Sequence, residues 1–381
     1  LVNLDAVVLV NLDTGKSITT TAAADGAAIS GAIDIDVSGI GTVTIVGSLD
    51  TSGADNADGN GSAGGAVTIN TIDGTVGVAN ITTSGGQGSA ANTGGLAGLI
   101  TIADAASNAI TLNGTAISAI GGVAAGAGTG GVGGAVTFSD IVTLAENIRI
   151  DTSGGTTTGG TAGDGGDILF SSTLTGTQTL DLDTLGATSG DITFVGTVGI
   201  VGSTPLAAVT IDAAKDVTAS AAFSAASLVQ SAGTGDTQFD GAVILSAIAG
   251  LNLTTNTVTI NSTVDTLAGS NDGVVTITNA GQLTIASGAN ITTDGAFTQN
   301  GAGPVSTAGN ITTTNDAISF ATAVTQAGAI VLNSGAGAGT ITFSGTLNGT
   351  TAATETLSLT AGTGNVVFTG IVGGSTTLGA V

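Results

Sequence analysis

Phe170 opens the run FSSTLTGTQTLDLDTLGATSGDITFVGTVG, which ends at Gly199, and Phe343 opens FSGTLNGTTAATETLSLTAGTGNVVFTGIVG, which ends at Gly373. The offset is 173 residues at the leading Phe and 174 at the second, where Phe194 answers Phe368. The likeness covers residues 168–209 and 341–381, because PLAAV from Pro205 is matched by TLGAV from Thr377. The first copy continues into TIDAAKDVTAS, whereas the second stops at Val381. The sequence ends inside a repeat, and a longer native polypeptide is expected. A repeat whose short strands cannot bury an apolar face alone gains its core by stacking on neighbours.

Shorter signals agree. GTVTIVG (Gly41–Gly47), GGAVTIN (Gly64–Asn70), GGAVTFS (Gly133–Ser139), GGDILFS (Gly165–Ser171) and GDITFVG (Gly190–Gly196) alternate with period two. That pattern is a half-buried strand bounded by turns. A second motif places a turn after the strand: LDTSGA at Leu49, ITTSGG at Ile81 and IDTSGG at Ile150, with weaker copies ITTDGA at Ile291 and ITTTND at Ile311. The first three lead into long Gly-rich loops. Helix formers are scarce; Glu occurs only at Glu146 and Glu355.

The predicted fold is all-β: a right-handed parallel β-helix (β-solenoid), one continuous and elongated domain over residues 1–381. Parallel crossovers are nearly always right-handed, which sets the expected hand. Val, Ile, Leu and Phe should stack inward, Thr, Ser and Asp outward, with Gly, Asn and Asp at corners needing positive φ. Pro205 and Pro304 belong at loops or corners. At roughly 20–25 residues per coil, about 15–19 coils rising about 4.8 Å each would extend about 70–90 Å.

Composition narrows function. The chain carries 65 Gly, 9 Phe, no Cys, His, Met, Trp or Tyr, and a net charge of −24. Its mean hydropathy of +0.53 argues against disorder. Lys16, Arg149 and Lys215 are the only cations, so nucleic acid is excluded as a partner and anionic membrane surfaces are disfavoured. No run of about 18 apolar residues occurs, and the aromatic girdles of a membrane barrel are missing, so no membrane insertion is expected. Without His or Cys, neither a Ser-His-Asp nor a Cys-His arrangement can be built, and zinc and copper lack their usual ligands. No cofactor is expected.

The remaining candidates are carboxylates and loops. Asp34/Asp36 in IDIDVSG and Asp181/Asp183 in LDLDTLG sit two apart, about the separation inverting glycosidases use. Outward acids over an Ile33/Ile35 or Leu180/Leu182 core explain them equally, and no sugar platform accompanies them. DNADGNG (Asp55–Gly61) and AGDGGD (Ala162–Asp167) place acids in Gly-rich loops but match neither an EF-hand nor the calcium nonapeptide, and read as flexible acidic turns. Gly121–Gly134 lacks the Lys of a phosphate loop. Asn-x-Ser/Thr matches at Asn80, Asn113, Asn252, Asn261, Asn290, Asn310 and Asn348 read as corner chemistry. Outward Thr pairs in TVTI (Thr42–Ile45, Thr257–Ile260) and TITF (Thr340–Phe343) match what a water-ordering, ice-binding face would use, without its even spacing. No catalytic, cofactor-binding or metal residue is therefore assigned.

GGAVTF, TLNGT, SLTAGTGNVVFTG and ITTSGG resemble the repeats of filamentous-haemagglutinin-like giant bacterial surface adhesins, over nearly the whole chain and most densely from Ile81 to Val381. The resemblance implies an extracellular or cell-surface location, export through a partner pore or an autotransporter-like route, and a role in attachment or as a filament. The expectation is a non-catalytic shaft segment that self-associates into a fibre or sheath and can meet a cell-surface or matrix receptor. Alternatives are a solenoid binding glycan, calcium or ice, and a β-helix enzyme cleaving polysaccharide.

Overall fold

The computed structural model describes residues 1–6, 9–23, 28–104, 108–200, 202–267 and 273–381. Among them are forty strands of two to eight residues and no α-helix. Strand pairs are parallel and in register, as in Ile33↔Val67 and Ile69↔Ile102. The chain is thus a parallel β-solenoid, as its repeats predict. It divides into two compact units: Leu1–Gly199 with Asp212–Lys215, and Ile200–Ile211 with Asp216–Val381.

In the first unit each coil contributes one strand to each of three columns. One column runs through Val2–Ala6, Ile33–Ile40, Val67–Asp73, Ile100–Asp104, Val136–Phe138, Ile168–Phe170 and Ile192–Phe194. A second includes Val76–Val78, Ile110–Leu112 and Val142–Leu144; a third includes Ile81–Thr82, Ala116–Ser118 and Ile148–Asp151. Alternation sends Ile33, Ile35, Val67, Ile69, Ile100 and Ile102 into a fully buried core. Each such side chain contributes about 1.5–3 kcal/mol by leaving water. Phe138, Phe170 and Phe194 stack with centroids 5.0 and 5.3 Å apart. The second unit repeats this with Phe297, Phe320, Phe343 and Phe368. Both copies of the long repeat therefore put their two Phe-bearing strands one above the other.

Coil length differs between the units. In the first, the register moves from Ile33 to Val67, Ile100, Val136 and Ile168, advances of 34, 33, 36 and 32 residues. In the second it moves from Thr237 to Val258, Leu283, Val305, Val324 and Leu347, advances of 21, 25, 22, 19 and 23. The expected 20–25 residues fits the second unit only. The longer coils hold the Gly-rich loops as part of the stack.

Those loops are ordered, which corrects their reading as flexible turns. Each is an outgoing and a returning leg. Up the outgoing legs, Gly53, Gly85, Gly121 and Gly154 donate N–H to Ser84, Ile120, Ser153 and Leu185 of the next coil at 2.7–2.9 Å. Between legs, Gly86 donates to Ser62, Gly95 to Gly86, Gly122 to Gly95, Gly131 to Gly122, Gly155 to Gly131 and Gly163 to Gly155. On a returning leg Gly61 and Gly64 donate to the next coil, and Ser62 and Gly65 across to the outgoing leg. A donor direction recurring every third residue matches the three-residue turn of polyproline II. Glycine is required for space here: a Cβ on Gly131 would lie 1.8 Å from the Gly95 carbonyl oxygen. Positive φ, the expected reason for corner glycines, occurs at only nine of the described ones, Gly250 and Gly335 among them.

Candidate functional surfaces

The repeated Thr of DTSGG closes the base of each Gly extension. Thr51, Thr83, Thr152 and Thr184 point inward, fully buried, and donate Oγ1–H to the carbonyls of Gly65, Gly98, Gly166 and Gly190 at 2.5–2.9 Å. The preceding Asp turns the chain: Asp50, Asp151 and Asp183 accept from the N–H two residues on. One coil departs from the pattern, with Ala119 at the Thr position. The motif was legible in sequence, but the inward direction of its Thr was not, because strand alternation stops at the turn.

Both Asp pairs stand over an apolar core, with Ile33/Ile35 and Leu180/Leu182 buried. Asp34 is raised above its ordinary value, first by burial and then by the charges of Asp36 and Asp5. Asn70 Nδ2 donates to Asp36 Oδ1 at 3.1 Å. These residues border a surface groove of about 470 Å³ lined by Asp36, Val37, Ser38, Asn70, Thr71, Ile72, Ala103 and Asp104. The other pair has a partner that sequence spacing concealed. Arg149, one coil below, reaches Asp181 and Asp183 at 2.8 Å and Asp212 at 2.7 Å, with Asp151 at 3.3 Å. Four carboxylates hold its guanidinium firmly charged. Burial raises Asp183 and its backbone hydrogen bond from Leu185 lowers it, the rise prevailing. A carboxylate pair bridged by one Arg is an ion-pair network; the arrangement leaves Asp181 and Asp183 no free oxygen pair facing a sugar.

The acids of the Gly extensions serve the stack. Asp55 accepts from the Gln87 N–H, Asp164 from Thr188 and Asp167 from Asp191, each one coil on. Corner Asn residues act likewise: Asn80 receives the N–H groups of Thr115 and Ala116, Asn290 that of Asn310, and Asn310 that of Val331. Gly121–Gly134 forms paired legs rather than a phosphate cradle.

Outward Thr residues line up. Thr68, Thr101 and Thr137 share one register row, as do Thr259, Thr284, Ser306 and Thr325. The pairs do not form two even rows. Thr44 stacks beside Gly77, while Thr257 and Thr259 both donate to Asp236 Oδ1.

Searches against protein-family models, curated proteins and solved structures find no match to this chain.

Proposed function

We propose that this chain is a structural, non-catalytic segment of an extracellular bacterial surface adhesin or filament, and that its units serve as shaft. The observation supporting this reading is the use made of the polar side chains. Thr83, Asp55, Asn80 and Arg149 are each bonded to the coils around them. Carboxylates and amides that an enzyme would turn toward substrate are here spent on holding coils together. Hydroxyl-covered faces with few cations suit a secreted, soluble surface.

Self-association is part of the proposal. The last coil of the second unit exposes Val366, Val367, Phe368 and Ile371 beside strand edges with unpaired backbone groups. A second copy supplies both the apolar cover and the missing ladder. Electron microscopy of the secreted native polypeptide tests the reading: fibres or stalks at the cell surface are expected, and an intracellular, discrete particle would overturn it.

A further inference from the structure

Two buried acceptor oxygens share the interior corner of the last coil without a donor. Glu355 is 6% exposed and Gln326 is 0% exposed. Glu355 Oε1 accepts from the Thr350 hydroxyl and from the Thr351 N–H at 2.9 Å, while Oε2 has no partner. The Gln326 amide is fixed the right way round, since Nε2 donates to the carbonyls of Gly328 and Thr356. Its Oε1 is left buried and unbonded. Gln299, the inward Gln of a lower coil, shows what satisfaction looks like: its Oε1 accepts from Ala321 N and Thr322 Oγ1.

The two oxygens occupy one place. Gln326 pairs in register with Gly349 directly above, and both positions point inward. A Cβ on Gly349 would lie 2.5 Å from Glu355 Oε2 and 3.3 Å from the Thr377 carbonyl oxygen. The absent side chain at Gly349 makes the space that the carboxylate enters. Thr356, whose carbonyl anchors the Gln326 amide, directly follows Glu355. Hydrogen bonds from Thr350 and Thr351 hold Glu355 below the usual carboxylate range, so it is ionised at neutral pH. The three cations of the chain are Lys16, Arg149 and Lys215, none of them in this coil.

We propose that this corner binds one calcium ion, through Glu355 Oε2, Gln326 Oε1 and the Thr377 carbonyl, with water completing the shell. An anion removed from water needs a compensating charge. The donor set is all oxygen, with one carboxylate, one amide and one carbonyl, the hard mixed set that calcium takes in flexible geometry; magnesium demands a regular octahedron and gives up water reluctantly. Entry is short, because Thr350–Thr354 is an exposed turn lying directly over Glu355. The site is distinct from the acidic Gly-rich loops, whose Asp55, Asp164 and Asp167 already accept backbone N–H groups. It does not rest on the adhesin reading.

The test is calcium binding by the whole 381-residue chain, measured by equilibrium dialysis and by melting in calcium against chelator at fixed ionic strength. The wild type should bind one calcium that Glu355→Gln binds about tenfold or more weakly, since affinity follows ligand charge. Its melting temperature should rise with calcium, and that rise should vanish in the variant. Asp55→Asn, at a loop acid, should keep both. Should Glu355→Gln fail to fold, Gln326→Met carries the same comparison with the carboxylate retained. Equal calcium binding by wild type and variant, or a calcium-independent melt, would leave only water at the corner and overturn the proposal.

Discussion

Thr83 shows how one side chain can carry a structural repeat. Its hydroxyl donates to the Gly98 carbonyl at 2.7 Å in a fully buried place, tying the end of a 15-residue excursion to its beginning. Thr83→Val keeps the shape and leaves that carbonyl short of a donor; a loss of about 1–3 kcal/mol is expected in urea unfolding. Ala119 is the converse. It lies in the coil that lacks the Thr, 3.2 Å from where a Cβ on Gly134 would stand. Ala119→Ser should gain about 0.5–1.5 kcal/mol in the same assay by supplying the missing donor. Asp34 sets a pH dependence. Its folded-state value is raised, so the folded chain holds that proton more tightly than the unfolded one, and the group's destabilisation is relieved as pH falls through the raised value. Asp34→Asn should therefore melt higher than the wild type at neutral pH, and the two should converge as pH falls into the carboxylate range. Added salt should narrow the gap, since Asp36 and Asp5 act through a mostly aqueous path.

At the scale of elements, the Gly extensions are the feature that composition misrepresents. A Gly-rich stretch reads as a loop because its residues lack side chains to bury, yet that lack lets four backbones approach to hydrogen-bonding distance. Gly131→Ala would drive its methyl into the Gly95 carbonyl between two pinned legs, and about 3 kcal/mol or more of stability should be lost in thermal or urea unfolding. Gly159→Ala, at the tip of an extension where the nearest atom stands 3.8 Å from the new methyl, should change stability by less than about 0.5 kcal/mol. Equal effects would mean that the legs are not packed. The strands themselves were readable from alternation at Val67–Ile69, Val136–Phe138 and Ile192–Phe194, and all three are observed with apolar residues inward. The Arg149 network was not readable: its partners Asp181 and Asp212 lie 32 and 63 residues away, and only the coil length brings them together.

At the scale of the whole molecule, each unit is a stack in which every coil is the template for the next. Such a stack leaves unsatisfied edges wherever it stops, and the exposed Phe368 marks one. Phe368→Lys, which adds charge to that edge, should suppress self-association in light scattering at high protein concentration, while wild type grows with concentration; identical scattering by the two would remove this edge from any fibre contact.

The amino-acid sequence by itself determined the class of fold: period-two apolar residues between turn residues, repeated at a distance, can bury their apolar face only by stacking in parallel. It also removed whole chemistries, since a chain with no His or Cys has no such nucleophile, base or soft metal ligand. The tertiary structure decided coil length, the order within the Gly extensions and the company that each carboxylate keeps. The reason is one of range: side-chain alternation is set between neighbours along a strand, whereas the contacts of Thr83, Arg149 and Glu355 are set across coils, at separations that depend on how the intervening chain folds.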